Sequence, residues 1–218
     1  MKKFSLLVTL FFVSKFCHAQ IPVSQEPKHH NVFENSYVRV LDVHLLPGDT
    51  SLFHKHETPS VFIVLNPVKT GSEVIIEDGK STALLKDSAI SFESFSKSPR
   101  IHRVWNADIT KFHVMDVEIV TKIQRNIAPS PKPIEFCPLF DEKWLLGYRL
   151  ILKHNSKLEL PAGNPFLVVC LDDAFNKVKV NNKSFNKKGD YLFIPPGQQI
   201  TFSNNDQRSY ALAVIEIK

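Results

Sequence analysis

Glycine is scarce in this chain: 7 among 218 residues, against 14 proline and 17 phenylalanine. That scarcity excludes collagen-like repeats and Gly-rich linkers, and the prolines count against long helices, because an interior proline removes an N–H and clashes with the preceding turn. No stretch carries a sustained helical period, which removes dinucleotide-binding folds. A Gly-x-Ser-x-Gly turn, a Gly-rich phosphate loop and a recognisable Cys–His pairing are all missing, so nucleophilic hydrolysis and nucleotide chemistry have little support. Cysteine numbers only 3, too few for a disulfide scaffold. What remains is an ordinary globular composition, 43% hydrophobic and 22% charged.

The first nineteen residues read as an address. Met1-Lys-Lys is followed by an apolar run from Phe4 to Val13 and then by Ser-Lys-Phe-Cys-His-Ala19. A basic start, a short apolar core and small residues at Cys17 and Ala19 make a secretory signal peptide, with cleavage expected after Ala19. The run is too short to span a hydrocarbon core of ~30 Å, and Lys15 blocks its extension. The expected location is the periplasm or outside a bacterial cell. Cleavage takes Lys2, Lys3 and Lys15 with it, and the net charge falls from +5 to +2. So balanced a surface does not argue for nucleic acid or for insertion in a membrane. Cys137 and Cys170 are then the remaining thiols, and a bridge between them is left open.

From Tyr37 onward, short apolar runs alternate with turn residues, as in an all-β sandwich or barrel. Strands are expected at Tyr37–Leu45, Ser60–Leu65, Glu73–Glu77 with a hairpin at Asp78-Gly79, Ser88–Phe92, Ile101–Trp105 and Phe112–Val120. Ala128-Pro-Ser-Pro-Lys-Pro133 reads as a linker. Beyond it the plan recurs: Leu41–His54 falls in step with Tyr148–Pro161 at an offset of 107, and Ser60–Leu65 with Pro165–Cys170 at an offset of 105. The expected organisation is a unit at 20–127, a Pro-rich linker at 128–136 and a second unit at 137–218.

Histidines carry the chemistry. His54 and His56 stand at i and i+2, so on a strand both imidazoles point to one face. A third imidazole from a neighbouring antiparallel strand, His102 being the candidate, would complete a facial set for one metal. Taken alone, such a pair also arises by chance or as a pH-sensitive surface patch. His113 is expected to face the interior near this site, as a weak candidate for proton handling. Arg100 shares a face with His102 and is a weak candidate for holding a substrate carboxylate. His29-His30 are expected in a solvated arm.

Gly48, five residues, His54-x-His56 and later Gly71 resemble the first motif of the cupin family, and His102 with Asn106 resemble the end of its second. The later frame Gly189, Pro195, Gly197 and Asn204 also resembles that second motif, but Ile200 occupies the ligand position and the first-motif histidines fall near Pro161 and Gly163. The resemblance implies two tandem antiparallel β-barrels of jelly-roll type, a bicupin with one live and one degenerate site. It further implies one divalent transition metal held by His54, His56 and His102, Fe²⁺ favoured over Zn²⁺, Mn²⁺ or Ni²⁺. The family's usual Glu would fall at Ser60 or Val61 and is missing, and Glu57 points away from His56. The expected function is a metal-dependent oxygenase on a small organic acid, thiol or phenol. The alternative is a non-catalytic binder of a sugar or small acid, with or without metal. A third reading has the second unit serving mainly for packing or a homodimer.

Overall fold

The structure is a computed structural model describing residues 20–75, 79–84, 89–95, 97–122 and 131–218. The expected signal peptide at 1–19, the expected hairpin turn at Asp78 and the first part of the expected Pro-rich linker lie outside the described residues. Strands in the first half are β1 (Ile21–Pro22), β2 (His29–Glu34), β3 (Val38–Leu45), β4 (His54–His56), β5 (Ser60–Asn66), β6 (Lys69–Val74), β7 (Gly79–Leu84), β8 (Ile90–Glu93), β9 (Arg100–Asn106) and β10 (Phe112–Ile119). The second half adds β11 (Phe136–Asp141), β12 (Leu145–Leu152), β13 (Ser156–Leu160), β14 (Phe166–Cys170), β15 (Val178–Val180), β16 (Lys183–Phe185), β17 (Tyr191–Ile194), β18 (Ile200–Asn204) and β19 (Tyr210–Ile217). Among the described residues the helical content is a single 3₁₀ turn at Val23–Gln25.

The strands form four sheets: β1-β4-β9-β6-β7 and β2-β3-β10-β5-β8, then β11-β12-β19-β14-β17 and β13-β18-β15-β16. The order of the first pair returns in the second, strand for strand, apart from the extra β1. Asn106 and Asn204 mark the repeat at the atomic level. Each donates from Nδ2 to the carbonyl four residues on, Thr110 and Arg208, and to the last carbonyl of a strand in the facing sheet, Leu45 of β3 and Leu152 of β12. These side-chain bonds cross between facing sheets, but no strand pairs with a strand of the facing sheet among the described residues. Each half is therefore a sandwich of two open sheets rather than the closed barrel expected.

Three apolar layers hold the four sheets together. Leu41, Val43, Leu45, Val64, Phe112 and Val114 fill the first sandwich, and Leu150, Phe166, Val168, Phe185, Phe202 and Leu212 are among those filling the second. Between the halves, Val38, Val40, Ile63, Met115 and Val117 meet Leu167, Val169, Ala213 and Ile215. The central sheets are thus covered on both faces, which is why β10 and β19 are buried along nearly their whole length. The cysteines do not pair: Cys137 is exposed, whereas Cys170 is buried, and burial pushes its thiol up to about 12.

The N-terminal arm is not solvated as expected. β1 pairs in parallel with β4, setting Ile21 opposite His54, and His29 is buried in β2. Glu26 explains why. Its Oε2 accepts from the Lys28 amide and lies 2.6 Å from Nδ1 of His29, and its Oε1 accepts from the Leu52 amide. Burial works to raise this carboxyl, but those hydrogen bonds outweigh it and hold Glu26 below the usual range.

Candidate metal centre

Pairing of β4 with β9 places His54 directly opposite His102 and His56 opposite Arg100. The strand period then turns His54, His56 and His102 to one face, toward the inside of the first sandwich. Ring centroids stand 4.7 Å apart for His54–His102 and 5.0 Å for His54–His56 and His56–His102. One ring nitrogen from each lies within 4.8 Å of the others. His54 is 0% exposed and His56 2%.

These imidazoles are neutral at ordinary pH. Burial, followed by repulsion from neighbouring cationic groups, takes His54 down to about 4 and His102 to about 3, and carries His56 lower still. Nδ1–H of His54 donates to the Leu52 carbonyl at 2.9 Å, leaving Nε2 with a lone pair that is buried and without a hydrogen-bond partner. Leu52 is itself anchored through its amide by Glu26, so the N-terminal arm fixes the tautomer of His54. The Ser72 hydroxyl lies 3.3 Å from Nδ1 of His102. Phe95 stacks on His56 at 5.1 Å, holding a backbone φ of 46° that bulky residues rarely adopt.

Asp116 is the residue that sequence reasoning missed. It projects from β10 in the facing sheet, and its Oδ2 stands 3.6 Å from Nδ1 of His56. Neither group has a hydrogen-bond partner, and both are buried. Burial, with Glu118 nearby, raises the Asp116 carboxyl well above the usual carboxylate range. Alternation along β10 groups Asp116 with Phe112 and Val114, but both faces of the strand are apolar, and it is the packing of the sheets that makes this the cavity side. The same alternation corrects the expectation for His113. That residue faces the opposite way, toward the second half, with Asp42 and His44, so it has no place at this centre.

A cavity of about 240 Å³ opens from the three histidines, lined also by Arg100, Asp116 and Phe62. Arg100 stands with its guanidinium 5.3 Å over the Phe95 ring and 3.4 Å from Glu93, a loose pair at a partly exposed site. Glu57 pairs with Lys55 on the outer face, away from the histidines as expected. In the second half, Leu160 faces Ile200 across β13 and β18, where His54 faces His102 in the first. The expected positions near Pro161 and Gly163 were thus a residue or more too far along. Both Leu160 and Ile200 sit in the core, so no ligand set survives there.

Solved structures share this architecture at low identity. The nickel(II) complex of the bacterial pirin YhhW from Escherichia coli gives a TM-score of 0.60 at 14% identity, covering 86% of this chain and 89% of that one. A cupin 2 conserved barrel domain protein from Leptotrichia buccalis gives 0.53 at 14%, covering 85% and 86%. A salicylate 1,2-dioxygenase variant from Pseudoaminobacter salicylatoxidans, in complex with gentisate, gives 0.58 at 9%, covering 83% and 69%. The fold is of the cupin type. No family model matches the chain, and no curated protein matches it by sequence.

The histidine set fits a transition-metal ion on its own chemistry: neutral imidazoles, an orphaned buried Nε2, and one ring nitrogen from each residue gathered within 4.8 Å of the others.

Proposed function

We propose that this chain is a secreted or periplasmic metal-binding bicupin whose first unit is a dioxygenase-type enzyme acting on a small organic acid, thiol or phenol. The observation that carries the reading is the buried, neutral three-histidine cluster opening on a cavity. His54, His56 and His102 hold one divalent metal, Fe²⁺ favoured, which when bound supplies open coordination positions for substrate and dioxygen. Glu26, through Leu52, keeps the lone pair of His54 aimed inward. Asp116, 3.6 Å from Nδ1 of His56, is placed to accept that N–H when the ring turns Nε2 toward the metal, an arrangement that commonly orients ligating histidines. Arg100 draws an anionic substrate group to the cavity mouth, and Phe62, Phe95 and Val64 keep the interior dry. The filled core of the second unit supports a single live centre of this kind, and the dioxygenase and nickel-binding proteins that share the fold are consistent with it. The signal-like segment at 1–19 supports export.

Metal content measured on mature protein after anaerobic Fe²⁺ loading tests this reading. Wild type is expected to retain one tightly held equivalent that His54→Ala/His56→Ala loses, and then to take up dioxygen with a hydroxybenzoate, thiol or small hydroxy acid. Failure to retain Fe²⁺, Mn²⁺, Ni²⁺ or Zn²⁺ at these histidines would sink the enzymatic reading and leave a non-catalytic small-molecule binder.

A further inference from the structure

A second cluster lies on the other face of the central sheet. Asp42 and His44 stand at i and i+2 on β3, and His113 on β10 is directly opposite His44. This is the layout of the first centre, in which His54 and His56 are at i and i+2 and His102 faces His54. Period-2 geometry therefore sends all three side chains to one face, here the seam between the two halves. Nε2 of His113 is 2.7 Å from Oδ1 of Asp42, and Nε2 of His44 is 3.0 Å from Oδ2. The two rings stand 4.2 Å apart, centroid to centroid. One ligand atom from each of the three residues lies within 4.8 Å of the others.

Two features of the surroundings suit a bound ion. The pairing of β10 with β5 shifts register between His113 and Val114, which breaks the regular ladder beside His113 on the side away from β3. From the second half, Gly189 closes over the cluster with φ +83°, and a Cβ there would stand 3.4 Å from Cε1 of His113. The cavity between them measures about 360 Å³ and is lined also by Asp173, Lys187 and Lys188. The three side chains are between 21% and 28% exposed, so an ion can enter from solvent.

We infer that Asp42, His44 and His113 form a second divalent-metal site, of the two-histidine, one-carboxylate kind, at the junction of the two units. Imidazole and carboxylate together suit Zn²⁺ and its neighbours in the first transition row, with the open position facing the second unit. The lysines nearby weaken the hold on a cation, so this ion binds less tightly than the one in the first centre. The site would pin the Lys187–Gly189 turn to β3 and β10.

Zn²⁺ titration of metal-free mature protein against a chromophoric chelator tests the inference. Wild type is expected to take two equivalents, and His44→Ala/His113→Ala one. His54→Ala/His56→Ala is also expected to keep one, which reports on the second site alone even if the first centre fails. In that last background, Co²⁺ loading should give visible d–d absorption that Asp42→Asn weakens at least tenfold, with circular dichroism confirming that each variant is folded. Zn²⁺ binding in the His54→Ala/His56→Ala background that survives loss of His44 and His113 overturns the assignment, as does the absence of any binding there.

Discussion

At the scale of single residues, the first centre depends on groups that never touch the metal. Asp116 is the clearest. Its carboxyl faces an imidazole nitrogen that has no other partner, so its removal should leave the fold intact while freeing His56 to rotate. Asp116→Ala is expected to weaken metal affinity at the first centre roughly 10- to 100-fold, with Asp116→Asn intermediate because an amide carbonyl at that position can also accept from Nδ1–H in the loaded protein. Competition with a chelator of known affinity measures this directly. The histidines also make the metal-free protein sensitive to acid. His54 in the folded chain sits at about 4 against an ordinary 6.5, so between those values the unfolded chain binds the proton and the folded chain does not. Stability is therefore fully present above about pH 6.5 and drains away as pH falls toward 4. For His54 alone, at 1.36 kcal/mol per unit, the loss is on the order of 3 kcal/mol. Urea midpoints of the metal-free protein at pH 7.5 and 4.5 should differ accordingly, and His54→Ala should flatten the difference.

At the scale of elements, the site was legible where its geometry is local and hidden where it is not. The His54-x-His56 spacing and a third histidine on a later strand could be read because strand period alone brings them to one face. Asp116, Glu26 and His29 reach the centre from other elements, and only the stacking of sheets reveals that. His113 was assigned the wrong face for a physical reason. β10 is buried on both sides, so Val114 and Met115 are equally apolar and alternation cannot say which face is the interior. The missing solvation of the arm has the same origin, since β1 pairs with β4 out of sequence order. A prediction belongs to the β6–β9 pair. Gly71 lies opposite Trp105, and a Cβ added there would come within 1.9 Å of the indole ring. Indole and backbone cannot both stay put, so Gly71→Ala should cost about 1–3 kcal/mol. Its urea midpoint should drop, and His102, three residues from Trp105 on the same strand, should lose its register against His54 and with it part of the metal affinity.

At the scale of the whole molecule, the two halves are not beads joined by a proline-rich thread. The repeat visible in sequence offers two sandwiches, yet the sheet that carries His113 on one face and Asp116 on the other is also the wall against which the second half packs. The metal centre in the first half thus leans on a core that the second half completes. This gives the second half a physical role: with Leu160 and Ile200 where the first half has His54 and His102, its interior fills with apolar side chains and becomes a stiff backing for the sheet that carries Asp116. Leu167 tests the argument, because it belongs to the second half, is fully buried at the seam and lies in a different unit from the three histidines. Leu167→Ala should destabilise the chain by roughly 2–5 kcal/mol, as deletions in a packed core do. Because the seam is shared, both halves should still melt in one transition, with Trp105 in the first half and Trp144 in the second reporting the same lowered midpoint. If only the Trp144 signal moves, the halves unfold independently, and the second unit does not brace the centre in the first.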